Sequence, residues 1–176
     1  MKDLETKIRV VIPAFNSEKT IQQCVESVFT EISKFKYYEI VVADNGRNSR
    51  LQSLLQEYPI QIIQCDEIHS AAYARNEGAK RFVEGILVFV DSDVVCDKNS
   101  LQNLVSPIRE GSCHATTGNY STDVNGLRFT QKYKQLYIHH AYSADEKEIK
   151  NDFWTAICAI DANVFHHLQG FNASFK

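Results

Sequence analysis

The sequence predicts an α/β fold: one domain with a mostly parallel central sheet and helices on both faces. Three observations carry this. Short β-branched runs alternate with stretches of helical period from residue 8 to residue 108. The strand runs are apolar throughout, the mark of strands buried on both faces. The 176 residues, 44% of them hydrophobic, suffice for one sizeable core.

The elements follow in order. "IRVVIP" (8–13) is a strand stopped at Pro13. The next stretch places Ile21, Val25, Val28, Phe29 and Ile32 at helical spacing, with Ser17 as its N-cap. "YEIVVADNG" (38–46) is a second strand running into a turn. Residues 49–58 form a short helix ended by Pro59, and "IQIIQC" (60–65) is a third strand. Residues 70–83 are helical, "GILVFVDSD" (85–93) is the fourth strand, and 97–108 is a helix capped by Asp97. Beyond residue 110 the rhythm loosens. A strand is read within 113–121, an aromatic-rich helix over 128–142, a strand over 154–161 and a short helix over 162–168. No internal repeat, low-complexity segment or linker divides the chain.

Bulk charge narrows the function classes. The net charge is −3 and no Lys/Arg block occurs, which argues against a nucleic-acid partner. Five scattered Cys (24, 65, 96, 113, 158), without CxxC or Cys/His spacing, predict reduced thiols, a cytoplasmic setting and no structural zinc. No signal peptide and no run of roughly 20 apolar residues is present, so the stretch as written reads as soluble.

Ligands of open α/β sheets bind outside the carboxyl ends of the strands. Acidic and amide residues gather there: Asn16 and Glu18 after the first strand, and Asp44-Asn45-Gly46 after the second. Asp66, Glu67 and His69 follow the third, and Asp91-Ser92-Asp93 the fourth. Turn formers and caps account for any one of these alone. Asp91 and Asp93, two apart at a strand end, are expected to leave one face and repel unless a cation lies between them. A divalent ion with oxygen ligands answers that, and Mg²⁺ shares its shell with substrate phosphates. GxGxxG and GxxxxGK[ST] are both absent, which disfavours dinucleotide binding and P-loop hydrolysis.

The blocks "VVIPAFNSEKTIQQCVESVF", "EIVVADNG", "AAYARNEGAKRFVEGILVFVDSDV" and "WTAICAIDANVFHHLQGFNASF" together resemble the family 2 glycosyltransferases. These are inverting enzymes of GT-A, Rossmann-like fold that use nucleotide-diphospho-sugars. The resemblance implies a nucleotide-binding half at about 8–110 and the start of an acceptor half at about 111–176. The loop Pro13 to Glu18 would line the base, with Ala14 and Glu18 in contact and Pro13 and Asn16 beside them. Asp44 would meet the base edge, while Asn45 departs from the family's second Asp. Uridine is the first expectation, and guanine stays open because of Asn45. Within Ala74-Arg75-Asn76-Glu77-Gly78, Arg75 and Asn76 would border the diphosphate; the alternative for Arg75 is a surface arginine paired with an acid. Asp91-Ser92-Asp93 would be the DxD motif. Asp93 would bind Mn²⁺ or Mg²⁺, Asp91 would hold the ribose or share the metal, and Ser92 would touch the nucleotide sugar.

The implied reaction moves a sugar from such a donor, a UDP-sugar first, to a hydroxyl of a saccharide, lipid or protein acceptor, with inversion. The family's base is the Asp of an "ED" pair after a "GGFDE.F" element; here "QGFNASFK" (169–176) closes the sequence. The base is therefore expected beyond Lys176, Asp161 and Asp152 being out of place. The 176-residue piece is expected to bind nucleotide weakly and transfer sugar poorly. Membrane association, at the cytoplasmic face, would come only through segments outside it. Two other functions compete: a non-catalytic nucleotide-sugar-binding or scaffold domain, and a nucleotidyltransferase, whose glycine- and basic-rich triphosphate loop "PAFNSEKT" does not resemble.

Other residues draw plainer expectations. His139-His140 and His166-His167 point about 100° apart within each pair and read as half-exposed helix residues, not chelators. The stripe Phe129, Tyr133, Leu136, Tyr137 and His140 reads first as core packing; the alternatives are a cover for the acceptor channel or a membrane-surface contact, for which it lacks the Lys/Arg-rich polar face. Trp154 sits where the resemblance implies acceptor or sugar contacts, and stands as either such a contact or a packed aromatic. Cys96 reads as a small buried filler.

Overall fold

The computed structural model describes residues 6–46, 50–65, 70–143 and 153–174. The elements are β1 (Ile8–Ala14), α1 (Ile21–Ile32), β2 (Tyr38–Asp44), α2 (Arg50–Leu54), β3 (Gln61–Gln64) and α3 (Ala71–Ala79). Then come β4 (Ile86–Val90), α4 (Ser100–Arg109), β5 (Ala115–Thr117), α5 (Phe129–Ser143), β6 (Ile157–Asp161) and α6 (Ala162–His167). They build one six-stranded sheet in the order β3-β2-β1-β4-β6-β5. The expected α/β architecture is borne out.

β1, β2, β3 and β4 run parallel; β6 lies antiparallel to β4 and to β5. The chain builds outward from β1 to β3, then returns to place β4 on the other side of β1. That reversal makes a switch point between β1 and β4, where open sheets leave a crevice.

Alternation along β1 explains its unbroken apolar run. Ile8, Val10, Ile12 and Ala14 pack in one cluster with Ile21, Val25 and Val28 of α1 and Leu101 and Val105 of α4. Val11 enters the opposite cluster with Ala79, Phe82, Phe89 and Phe165. Both faces are thus covered, as the period of two requires. On the second face α3 lies close to the sheet: a Cβ on Gly78 would sit 2.3 Å from Val11 Cγ1.

Several expectations are corrected. Helix α1 starts at Ile21 behind Thr20, not at Ser17. The Ser17 carbonyl takes the Thr20 and Ile21 N–H groups at 3.0 and 2.9 Å, so a turn precedes the helix. Helix α4 begins behind Asn99 in a left-handed conformation (φ 65°); Asp97 serves only through its carbonyl, which accepts from Ser100 N. Strand β4 ends at Val90 rather than running to Asp93. The 113–121 stretch keeps a strand only at Ala115–Thr117. Helix α5 does not enter the core: Phe129 is 83% exposed, and Tyr133, Leu136 and Tyr137 are exposed too. No helix among the described residues is long and apolar enough to cross a membrane.

Candidate functional site

A cavity of about 540 Å³ opens at the switch point. Pro13 to Ser17 and Thr20 border it from the β1 end, and Asn45 from the β2 end. Ala71, Ala74 and Arg75 enter from α3, and Asp91, Ser92 and Asp93 from the β4 end. Parallel strands deliver their C-terminal loops to one rim, which is why segments far apart in sequence meet here.

The loop after β1 turns sharply. Asn16 adopts φ 50°, a left-handed conformation that asparagine tolerates better than most residues. The turn swings Phe15 out to 54% exposure at the cavity edge. The Asn45 N–H closes back onto the Ala14 carbonyl at 2.8 Å and locks the loops after β1 and β2 together.

Asp91 is fixed from three sides. Its N–H donates to the Ala156 carbonyl just before β6 at 2.8 Å, and its carbonyl takes the Val94 N–H at 3.0 Å and the Cys24 thiol at 3.4 Å. Its side-chain Oδ1 lies 2.5 Å from Arg75 Nη2. Burial pushes the Asp91 carboxyl up from its ordinary value; Arg75 pulls it down, and Asp93 adds a smaller lift. The cation expected between the two acids is therefore met, for Asp91, by an arginine on α3. Asp93 stands exposed at the rim. The acids sit in a turn past the strand, so strand alternation does not set their directions.

The structure brings most of the expected residues to this cavity, but not all. Pro13, Ala14, Asn16, Arg75, Asp91, Ser92 and Asp93 line it. Asp44 is buried beside it, its Oδ1 taking the Gly46 N–H at 2.8 Å. Burial first, and then the charge of Glu18, raise the Asp44 carboxyl, while the Gly46 N–H lowers it. Glu18 is half-buried and near Asp44 rather than on the cavity wall. Asn76 is turned to other use: its amide gives and takes hydrogen bonds with the Phe171 backbone, at 2.8 and 2.9 Å. Asp161 caps α6, its Oδ1 accepting from Asn163 and Val164 N–H. Asp66, Glu67, His69 and Asp152 lie outside the described residues.

Sequence reasoning missed Phe15, Thr20, Ala71 and Tyr120. Phe15 stood inside the "PAFN" block, where an apolar residue at a polar strand end was the available signal. Tyr120, past β5, packs edge-on against Trp154 with ring centroids 6.4 Å apart. Burial raises the Tyr120 phenol, and the charges of Asp93 and Asp91 raise it further. His139 and His166 are half-buried and His140 and His167 exposed; His139 Nδ1 meets the Tyr120 carbonyl at 2.6 Å and His166 Nε2 the Phe82 carbonyl at 2.9 Å. Among the described residues no group of three or more His, Cys, Asp or Glu could hold a metal ion unaided.

The profile described as "Glycosyl transferase family 2" matches residues 9–169. "Glycosyltransferase AglE" of Haloferax volcanii is 27% identical over 132 residues, covering 72% of this chain and 43% of that protein. "Poly(ribitol-phosphate) beta-N-acetylglucosaminyltransferase TarP" of Staphylococcus aureus is 23% identical, covering 68% of this chain and 38% of that protein. The chain thus spans less than half the length of these two relatives. Among solved structures, "Mannosyltransferase PcManGT from Pyrobaculum calidifontis in complex with GDP-Man and Mn2+" superposes with TM-score 0.73 at 16% identity, over 98% of this chain and 49% of that one. "S. aureus TarS 1-349 in complex with UDP-GlcNAc" superposes with TM-score 0.53 at 26% identity, over 69% of this chain and 36% of that one.

Proposed function

Because the chain belongs to glycosyl transferase family 2, we propose that its switch-point cavity takes a nucleotide-diphospho-sugar and gives up the sugar to an acceptor hydroxyl with inversion. The observation that carries this reading is the junction of Arg75, Asp91 and Asp93 at one rim of a 540 Å³ cavity. A cation held against a carboxylate, with a second carboxylate exposed beside it, suits a diphosphate whose charge needs sharing. The fold neighbours titled with GDP-Man and Mn²⁺ and with UDP-GlcNAc support the same class of donor.

The residues divide the work. Phe15 offers a ring face to the base, and Asn16, exposed, and Asn45, buried, offer amides from the lining of the cavity. Uridine is the base proposed. Arg75 is the positive group nearest the diphosphate, and Asp91 keeps its guanidinium in place. Trp154 and Tyr120, packed edge-on to each other outside the cavity lining, are the aromatic groups proposed to meet the acceptor.

The acidic rim fits Mn²⁺ or Mg²⁺ in a limited way. Asp93 and the outer oxygen of Asp91 would hold it, and the remaining ligands would be diphosphate oxygens and water, as Mg²⁺ in particular prefers. When bound, such a cation supplies neutralisation of the charge on the departing diphosphate. A free-standing metal site is not expected, since Asp91 is already engaged by Arg75.

Calorimetric titration with UDP, GDP and their sugars, with and without Mn²⁺, tests this. UDP binding that the cation strengthens, with Asp93→Ala binding UDP weakly whether or not the cation is added, is the expected result. Equal binding with and without cation, or no binding of any nucleotide, would refute it.

A further inference from the structure

Arg75 is held by more than its acid. Its Nε is buried and has no hydrogen-bond partner among the described residues. Its guanidinium carbon lies 5.6 Å from the centroid of the Phe171 ring. One ion pair and one ring face therefore bound the guanidinium. A single ion pair leaves a guanidinium free to rotate about it, whereas an aromatic face sets its plane.

The ring is itself anchored. Gly170 turns the chain at φ 71°, and a Cβ there would come within 2.7 Å of Asn76 Oδ1. The Phe171 backbone then enters the two-bond clamp of Asn76, one residue after Arg75. Phe89 at 5.0 Å and Phe165 at 5.5 Å pack on the ring. Ser70, the N-cap of α3, donates to the Ala173 carbonyl at 3.3 Å. Helix α3 thus grips residues 171–173 by its cap and by its second turn.

We propose that Phe171 is a positioning residue for the donor site: docked by Asn76, its ring fixes the Arg75 guanidinium so that it meets Asp91. Its consequence for nucleotide binding rests on the donor reading above; the ordering of Arg75 does not. Residues 170–173 thereby belong to the donor site although their side chains line no part of the cavity.

Two measurements on the full 176-residue chain test the proposal, using Phe171→Leu and Phe82→Leu. Phe82 sits in the same apolar cluster, under Arg9 rather than Arg75. The first measurement follows hydrogen exchange of the Arg75 Nε–H by NMR in the free protein, the resonance identified by its loss in Arg75→Lys. The second follows affinity for UDP with Mn²⁺, well below the melting temperature of each variant. Phe171→Leu is expected to speed the exchange and weaken binding about tenfold, and Phe82→Leu to do neither despite a comparable fall in melting temperature. Phe171→Tyr, which keeps the ring face, is expected to restore both. Unchanged exchange in Phe171→Leu, or equal changes in Phe82→Leu, overturns the proposal. A parent chain that binds no nucleotide refutes the donor reading instead, and the exchange rate alone then decides the role of Phe171.

Discussion

Arg75 on α3 and Asp91 past β4 meet at 2.5 Å, sixteen residues apart in sequence, across the crevice between two parallel strands. The arginine side chain is 9% exposed and the aspartate 32%. Burial alone would favour a neutral Asp91; the guanidinium opposes that from inside the domain.

Arg75→Met removes the charge and leaves Asp91 half-buried without its partner. A loss of about 1–3 kcal/mol in unfolding free energy is expected, below the value for a fully buried pair because water reaches Asp91. Urea unfolding at neutral pH measures it. Arg75→Met/Asp91→Asn is expected to recover part of the loss, and an unchanged midpoint in the single variant would contradict the burial argument.

Gly78→Ala drives a methyl to within 2.3 Å of Val11 Cγ1, where α3 rests on β1. The helix must lift or Val11 must turn, at a cost of about 1–3 kcal/mol. Alanine's better helix propensity recovers at most about 1 kcal/mol of that. Thermal unfolding should show the net loss. A stabilised variant would mean that α3 sits farther from the sheet.

Asp44 carries a pH dependence whose direction is set by its surroundings. Burial lifts its carboxyl, and Glu18 adds to the lift against the Gly46 N–H. An acid raised in the folded state binds protons more tightly there than in the unfolded chain. Its ionisation therefore costs stability fully above the folded-state value, and the cost fades as pH falls through that value. Asp44→Asn keeps an oxygen for Gly46 and removes the charge. It should stabilise the domain at neutral pH and change little near about pH 3, below the ordinary Asp value. Denaturant midpoints at the two pH values check the sign.

The thiols should divide by burial. Cys24, Cys65 and Cys158 are buried, Cys96 and Cys113 half-buried. Burial pushes the Cys158 thiol up to about 12 and raises Cys24 and Cys96 as well. Since the thiolate is the reactive form, Cys113 should react first with a disulfide reagent under native conditions. Mass mapping after brief labelling gives the order; early labelling of Cys158 would be incompatible with this core.

The parallel half of the sheet was legible because burial on both faces writes an unbroken apolar run, as in Val10-Val11-Ile12. The place of β6 was not. "ICAID" reads as a strand from its residues, but its antiparallel pairing between β4 and β5 is set by distant partners such as Phe89 opposite Cys158. The aromatic stripe of α5 misled because helical period tells which residues share a face, not whether anything covers it. At the candidate site, "DSD" falls on the rim of the cavity, yet its local spacing could not reveal Arg75 as the partner of Asp91. Asn76 shows the same limit: its neighbour faces the cavity, while its own amide holds a segment 95 residues away. One helical step separates a cavity-facing side chain from a scaffolding one.

The reversed direction of β6 has a consequence for how such a protein can diversify. A parallel strand would begin at the far end of the sheet; β6 begins where β4 stops, so its upstream end meets Asp91. The described cavity lining comes from positions between 13 and 93, while Tyr120, past β5, and Trp154, before β6, pack on each other. The two regions meet at the backbone bond from Asp91 to Ala156, which any sequence can make. The stretch upstream of β6 can therefore be rewritten while the cavity lining stays as it is, because the bond that joins them is backbone to backbone.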